Sequence, residues 1–458
     1  MSECFNNKKF DIFPLIFPVG EKVKFKIKAN ASKKSFCGEC LVKVLRIDLG
    51  SPNEEFTKNN CTEILTTVDE DGYIKFEYTA SSECEHYVRI YKGEEKLAQL
   101  SVYALDGDLA TRVPLRGDFH VHTTCSDGHE DPQIVCANYR RKGYDFICIT
   151  DHFRYYPSLD AINFYKGVDT ALNILPGEEV HLPGTSVHIV NAGGLFSING
   201  LLPVIQNYLE TNGEDSRRRL DDSVVAPNVY KMEDYWAEID KIEESLKNCK
   251  NPIPSDLDAK SYAVCLWAFD QIKKADGLSV FAHPYWIWDV WQVPEHFTRY
   301  MLENHPFDAF EVLGGENYYA QNGFQTALYY DEKVKGRNHP IVGSTDSHGS
   351  TSENRNYDIC STIVFAKDNT RESIITAVKE KFSVAVDTIS KEYRLVGDFR
   401  LIKYASFLME HYFPLHDRVA YVDGEMLYQY AIGDATKEEV ELTTKRAKEF
   451  AKKYVLLK

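Results

Sequence analysis

The stretch Asp118-Phe-His-Val-His-Thr-Thr-Cys-Ser-Asp-Gly128, followed at 147–152 by Ile-Cys-Ile-Thr-Asp-His, packs His120, His122, Asp127, Asp151 and His152 into residues 118–152. Side chains alternate along a strand, so Asp118, His120 and His122 are expected to project from one face. Two imidazoles two residues apart on one strand form half of a transition-metal site. Asp118 shares that face, where a carboxylate can orient a histidine from behind. A short motif of this kind is only a hypothesis until its context appears. The rest of the chain supplies that context.

Outward from this stretch, from about residue 115, the pattern is strand–helix alternation. A strand at 118–122 leads to a helix near 132–142 that ends at Gly143, and the apolar run 146–149 delivers Thr150-Asp151-His152. Further strands are expected at 186–190, 278–282, 308–312, 340–344 and 361–366, then a helix from about Arg371 and a strand at 383–387. Such alternation marks an α/β fold with parallel strands. Ligand-type side chains at the ends of these runs match the catalytic rim of a (β/α) barrel. A barrel domain is therefore expected over 115–390, with a helical insertion at about 196–276 carrying helices at 232–247 and near 256–275. Within it, 212–220 reads as a loop, and for its Arg217–Arg219 an exposed, solvated role is preferred over contact with an anionic substrate.

Residues 1–110 read differently. Val23, Phe25 and Ile27 alternate with lysines, and Ile74, Phe76 and Tyr78 do the same after a Glu70-Asp71-Gly72 turn. Val88 and Ile90, then Leu100 and Val102, flank a Lys92-Gly93 turn. Short alternating strands between turns predict an all-β, sandwich-like accessory domain. Residues 391–458 form a mainly helical C-terminal extension, amphipathic at its end and expected to pack on the barrel.

Composition bounds the rest. A chain of 458 residues favours two or three domains, and 43% hydrophobic with 27% charged residues is the balance of a soluble globular protein. No apolar run is long enough to span a bilayer, and the N-terminal apolar patch is too short and too interrupted for a signal peptide. A cytoplasmic location is expected. The eleven cysteines suggest no disulfide framework. Cys37-Gly-Glu-Cys40, with Cys61 and Cys84, is read as incidental thiols rather than a structural zinc site. A net charge of −16 argues against general nucleic-acid binding, because phosphate backbones need a basic surface.

Four more ligand groups follow in order: Pro176-Gly-Glu-Glu179, Ser186-Val-His-Ile-Val190, Phe281-Ala-His-Pro284 and Gly343-Ser-Thr-Asp-Ser-His-Gly349. Each is weak alone, since a single mid-strand histidine such as His188 is usually a satisfied core residue. The ordered set points to a metal centre.

Over about 115–388 the chain resembles the PHP (polymerase and histidinol phosphatase) family of metal-dependent phosphoesterases. His120 and His122 match its H-x-H, Asp127 its S-D-G acid, and His152 its T-D-H histidine. Glu179 matches its G-x-E carboxylate with Gly177 setting the frame, leaving Glu178 a neighbour. His188, the A-H-P residue His283, and the D-x-H pair Asp346 and His348 complete nine ligand positions. The resemblance implies a distorted (β/α)7-type barrel holding two to three divalent ions, of zinc, manganese or iron. One ion would lie among His120, His122, Glu179 and Asp346. Glu179 would bridge to a second held by His188 and His283, and Asp127, His152 and His348 would hold the third.

The implied reaction is hydrolysis of a small phosphate ester of a nucleotide, sugar or amino alcohol. A metal-bound hydroxide attacks phosphorus in line, with Asp127, His152 and His348 as the catalytic group. Arg154, just past T-D-H, is a candidate to bind the substrate phosphate. For Tyr155, Tyr156, Trp286 and Trp288, packing of the rim is preferred over stacking on a base or sugar. An amidohydrolase-like C–N hydrolase, an exonuclease acting on short oligonucleotides, and a non-enzymatic metal-dependent binding module are the competing readings. The small phosphate ester is the expected partner, with no membrane partner, and the sequence leaves the oligomeric state open.

Overall fold

The computed structural model describes residues 10–30, 37–49, 60–203, 225–247, 251–287, 289–314, 319–350, 360–388 and 393–458. Arg217–Arg219 and Trp288 lie outside the described residues. The chain divides into two compact units, one of Met1–Val113 with Lys403–Val419 and Lys445–Lys458, the other of Pro114–Ile402 with Ala420–Thr444. No helix among the described residues is long and apolar enough to cross a membrane.

The first unit contains two sheets. One has three strands, with Val23–Ala29 between Phe10–Phe13 and Tyr73–Tyr78. The other has five, ordered Ile16–Pro18, Glu95–Leu105, Cys84–Lys92, Glu39–Arg46 and Cys61–Thr67. Val23, Phe25 and Ile27 are buried while the lysines between them are exposed, as period-2 alternation requires. Phe25 packs edge-on against Phe17 of the other sheet, ring centroids 5.0 Å apart, so the two sheets share one core. The segment Lys445–Lys458 belongs to this unit rather than to the second one. Leu15 donates its N–H to the Tyr454 carbonyl at 2.8 Å, and Lys453 pairs with Asp11 at 2.7 Å. Cys37, Cys40, Cys61 and Cys84 form no metal-ligating group among the described residues.

The second unit is α/β with mixed sheets. Six strands run in the order Asn173–Leu175, Phe146–Ile149, Val113–Val121, Cys360–Ala366, Ser383–Asp387 and Arg394–Val396. Five more run Gly177–Val180, Ile189–Ala192, Leu278–Phe281, Ala309–Leu313 and Ile341–Gly343. The expectation of parallel strands holds only in part. Gly177–Val180, Ile189–Ala192 and Leu278–Phe281 pair antiparallel, as do Cys360–Ala366 and Ser383–Asp387. Each of the pairs 177–180/189–192 and 360–366/383–387 includes a strand running against the βα repeat, so no single parallel ladder closes on itself. The two sheets are joined by isolated bridges, His152 to Glu179 and Val121 to Ser347. Both bridges involve residues of the ligand motifs, so the centre sits where the sheets meet.

The insertion's helices are Met232–Leu246 and Ala259–Lys274. Asp258 caps the second, accepting from the Ser261 N–H at 3.0 Å. The helix Pro132–Arg141 starts with proline at its first position, where no N–H is needed. It leads into Gly143 at φ 88°, a conformation glycine adopts without a Cβ clash. A buried arginine fixes this helix from outside. Arg140 bonds Asp423 at 2.7 Å and Asp145 at 3.1 Å.

Candidate metal centre

The strand Val113–Val121 carries His120, and His122 follows it directly. Both imidazoles are fully buried. Asp118 does not touch either ring. Its carboxylate accepts the His120 N–H at 3.1 Å, the Thr345 N–H at 3.1 Å and the Thr345 hydroxyl at 2.6 Å. It therefore ties the first motif's backbone to the Ser344-Thr345-Asp346 segment. The expected role behind His120 belongs instead to Glu311, whose Oε2 lies 3.1 Å from His120 Nδ1. Burial lifts the Asp118 pKa to about 7, against the Thr345 bonds that pull it down.

Beyond His122 the chain turns sharply. Asp151 accepts the Thr123 N–H at 2.8 Å, the Thr123 hydroxyl at 2.8 Å and the Ser126 hydroxyl at 2.6 Å, pinning the loop that presents Asp127. Gly128 is required here, since a Cβ would lie 2.7 Å from the Thr123 nitrogen. On the strand Gly177–Val180, neighbouring carboxylates face opposite ways. Glu178 accepts from Ser197 Oγ at 2.8 Å, the Ile198 N–H at 2.5 Å, and the Asn191 and Asn199 amides at 3.1 and 2.9 Å. Glu179 faces the histidines. His188 precedes the strand that starts at Ile189 rather than lying within it.

The two oxygens of Glu179 divide six imidazoles between them. Oε1 lies 2.8 Å from His188 Nδ1, 3.3 Å from His283 Nε2 and 3.6 Å from His120 Nε2. Oε2 lies 2.5 Å from His152 Nδ1, 3.3 Å from His181 Nε2 and 3.7 Å from His122 Nε2. Asp346 Oδ1 sits 2.8 Å from His122 Nε2 and 3.4 Å from His120 Nε2. At the outer edge, Asp127 Oδ2 meets His348 Nε2 at 3.3 Å and His152 Nε2 at 3.4 Å. All nine expected ligand residues are thus brought together. The side chains of His120, His122 and Glu179 are sealed, whereas those of Asp127, His348 and His152 are 50%, 30% and 24% exposed.

Charge follows this layout. Burial would raise the Glu179 pKa, but His152, His188 and His120 around it hold it well below the usual carboxylate range. Burial would likewise lower His120, and the Asp346, Glu179 and Glu311 carboxylates outweigh it and raise its pKa. His122, buried and facing His152 and His348, is pushed down to about 3.

Two observations fit this donor set to metal ions. His120 Nε2, His188 Nδ1 and Glu179 Oε2 are buried and, though each faces an oppositely charged group, make no well-aligned hydrogen bond, which is costly unless another partner satisfies them. The neighbouring donor atoms also form interlocking groups with all members within 4.8 Å of one another. His and carboxylate donors suit zinc, iron or manganese. Backbone conformation is unusual at the same place. Phe153, His283 and Asp346 have φ of 60°, 20° and 51°, values rare outside glycine that tend to gather at functional sites.

Sequence reasoning missed His181 and Glu311. Glu311 lies mid-strand in the recognised run 308–312, with no motif to mark it. His181 lies two residues past Glu179, the same H-x-H-type spacing that singled out His120 and His122, and that signal was available. Arg154 is 1% exposed, so it is not a surface group. Tyr155 is buried and donates its hydroxyl to the Gly194 carbonyl at 2.7 Å, and Tyr156 is buried at the start of the helix Tyr156–Phe164. Trp286 differs from both. It is half-buried, with its ring centroid 6.3 Å from that of His283 and 6.4 Å from that of His188.

Residues 118–247 match the family model of the PHP domain. No curated protein matches the sequence. Among solved structures, a two-domain protein from Bacteroides vulgatus containing a predicted PHP-like metal-dependent phosphoesterase is 18% identical over 61% of this chain, with a TM-score of 0.37. The chain spans 66% of that protein's length. A candidate metal-dependent phosphoesterase from Bifidobacterium adolescentis is 19% identical over 53% of this chain and 92% of its own, with a TM-score of 0.31. An amidohydrolase from Chromobacterium violaceum is 15% identical over 53% of this chain and 90% of its own, also with a TM-score of 0.31.

Proposed function

With residues 118–247 matching the family model of the PHP domain, we propose that the protein is a metal-dependent phosphoesterase that hydrolyses a small phosphate ester. The observation that carries this reading is Glu179, one buried carboxylate whose two oxygens face six imidazoles, with Asp127 and Asp346 closing the set. Two to three divalent ions held there would supply Lewis acidity and an activated water for attack on phosphorus. His120, His122, Glu179, His283 and Asp346 form the buried part of the ligand set, and His188 extends it through Glu179.

Asp127, His152 and His348 are the catalytic group in this proposal, since theirs are the ligand side chains with the most exposed surface. A substrate reaching the centre from solvent meets them first. Binding of the phosphate is assigned to Arg154, two residues past His152, as a fixed cation that can pair with phosphoryl oxygens. Trp286, beside His188 and His283, provides an apolar face for the alcohol portion of the ester. The two bridged sheets are read as a distorted (β/α)7 barrel that brings these groups to one mouth. A cytoplasmic location is part of the same reading, supported by free thiols at all nine described cysteines.

A panel of nucleotide, sugar and amino-alcohol phosphates, assayed for released phosphate with zinc, manganese or iron, tests the function. Cleavage of at least one ester is expected, and its loss in His120→Ala and Asp346→Ala. Failure to cleave any phosphoester with any of the three metals, or hydrolysis of amides instead, would overturn the proposal.

A further inference from the structure

Nine ligand positions account for the family pattern, but among the described residues a further imidazole, that of His181, also reaches this centre. We propose that His181 is a metal ligand, sharing one ion position with Glu179 Oε2 beside the His152 ring. This inference rests on the metal-dependent reading of the same centre and adds a residue to it.

The geometry is that of donors arranged about a common point. His181 Nε2 lies 2.9 Å from His152 Nδ1 and 3.3 Å from Glu179 Oε2, and His152 Nδ1 lies 2.5 Å from that oxygen. Donors each about 2.0–2.1 Å from a tetrahedral ion are separated from one another by roughly 3.3 Å, the spacing of His181 Nε2 and Glu179 Oε2. The other oxygen of Glu179 already faces three imidazoles, those of His120, His188 and His283. His181 gives Oε2 its third, after His152 and His122, so the carboxylate is served equally on both sides.

The placement of His181 is built into the fold. Its backbone N–H donates to Asn199 Oδ1 at 3.1 Å, and Asn199 Nδ2 donates both to the Glu179 carbonyl at 3.1 Å and to Glu178 Oε2 at 2.9 Å. Asn199 and Glu178 are fully buried. One clamp therefore fixes Glu179 and His181 together. The His181 ring is held between Phe153, at a centroid distance of 4.3 Å, and His188, at 4.2 Å.

The rival explanation is a simple hydrogen bond, in which His181 only orients the His152 ring. Two variants separate these readings. In His181→Ala the donor is lost. In His181→Gln the side chain can still hydrogen-bond to His152, but no imidazole remains. The full-length protein is loaded with zinc, its metal content is counted, and its affinity is measured by chelator competition. The visible absorption of the cobalt-substituted protein is recorded in parallel.

Ligation predicts that both variants lose one ion or bind it at least about tenfold more weakly, the scale on which even outer partners of a ligand act. It also predicts a changed cobalt spectrum in both. Wild-type content, affinity and spectrum in His181→Gln would overturn the ligand assignment, whatever His181→Ala does. If the wild-type protein itself binds no metal, the metal-dependent reading falls and this inference with it. If wild type and variants bind metal identically, only the role of His181 falls.

Discussion

Nδ1 of His120 lies 3.1 Å from Oε2 of Glu311, both side chains fully buried, which turns Nε2 of the same ring toward Glu179 and Asp346. A carboxylate behind an imidazole fixes the ring's orientation and tautomer and makes its free nitrogen a better donor. Glu311 also accepts the His283 N–H at 3.2 Å, so one side chain sets two ligands.

Glu311→Gln is expected to weaken metal binding about 10- to 100-fold while the fold persists. Chelator competition measures this. Unchanged affinity would show that the His120 ring is held without its carboxylate.

Metal removal should destabilise the catalytic unit, because buried imidazoles and carboxylates then face one another uncompensated. An ion present at a thousand times its dissociation constant contributes about 4 kcal/mol to the folded state. The thermal midpoint should fall on chelation and recover when metal is restored. A melting curve insensitive to chelator would contradict the fit of these donors to metal.

Arg140→Met should be strongly destabilising. Arg140 is buried and pairs with Asp423 and Asp145, and its loss removes the cation that joins the two acids. Breaking a buried pair from one side costs about 3–5 kcal/mol. Urea denaturation gives the value, and a loss below about 1 kcal/mol would mean that solvent compensates the acids.

Acid sensitivity should trace in part to His339. Both its ring nitrogens are buried without a hydrogen bond, and burial, then the neighbouring His305, pushes its pKa down to about 4. In the unfolded chain the same group titrates near 6.5, so below that pH the unfolded state binds more protons. The stabilisation is complete above pH 6.5 and is lost as the pH falls toward 4, by up to about 3 kcal/mol. His339→Leu should flatten the stability profile over this window. An equally steep profile in the variant would place the acid sensitivity elsewhere.

Much of this protein is legible along the chain. The alternation of Val23, Phe25 and Ile27 specifies a half-buried strand, and the apolar run at 146–149 a fully buried one, because burial repeats with the local geometry of the backbone. The ligand motifs are also local. They occupy strand ends or the turns beyond them, and their residue types carry the chemistry whatever the neighbours are.

Tertiary structure decided what depends on partners distant in sequence. Strand direction at 189–192 and 360–366 follows from which edges remain to be paired, and residue periodicity is the same for parallel and antiparallel neighbours. Asp118 faces Thr345, far along the chain, and Glu311 takes the place behind His120, because folding chooses among several buried carboxylates by position alone. The sequence by itself determined that histidines and acids would gather for metal chemistry. Only the folded chain determined how Glu179 divides six imidazoles between its two oxygens, since hydrogen-bond and ligand distances of about 3 Å exist only once separate strands have met.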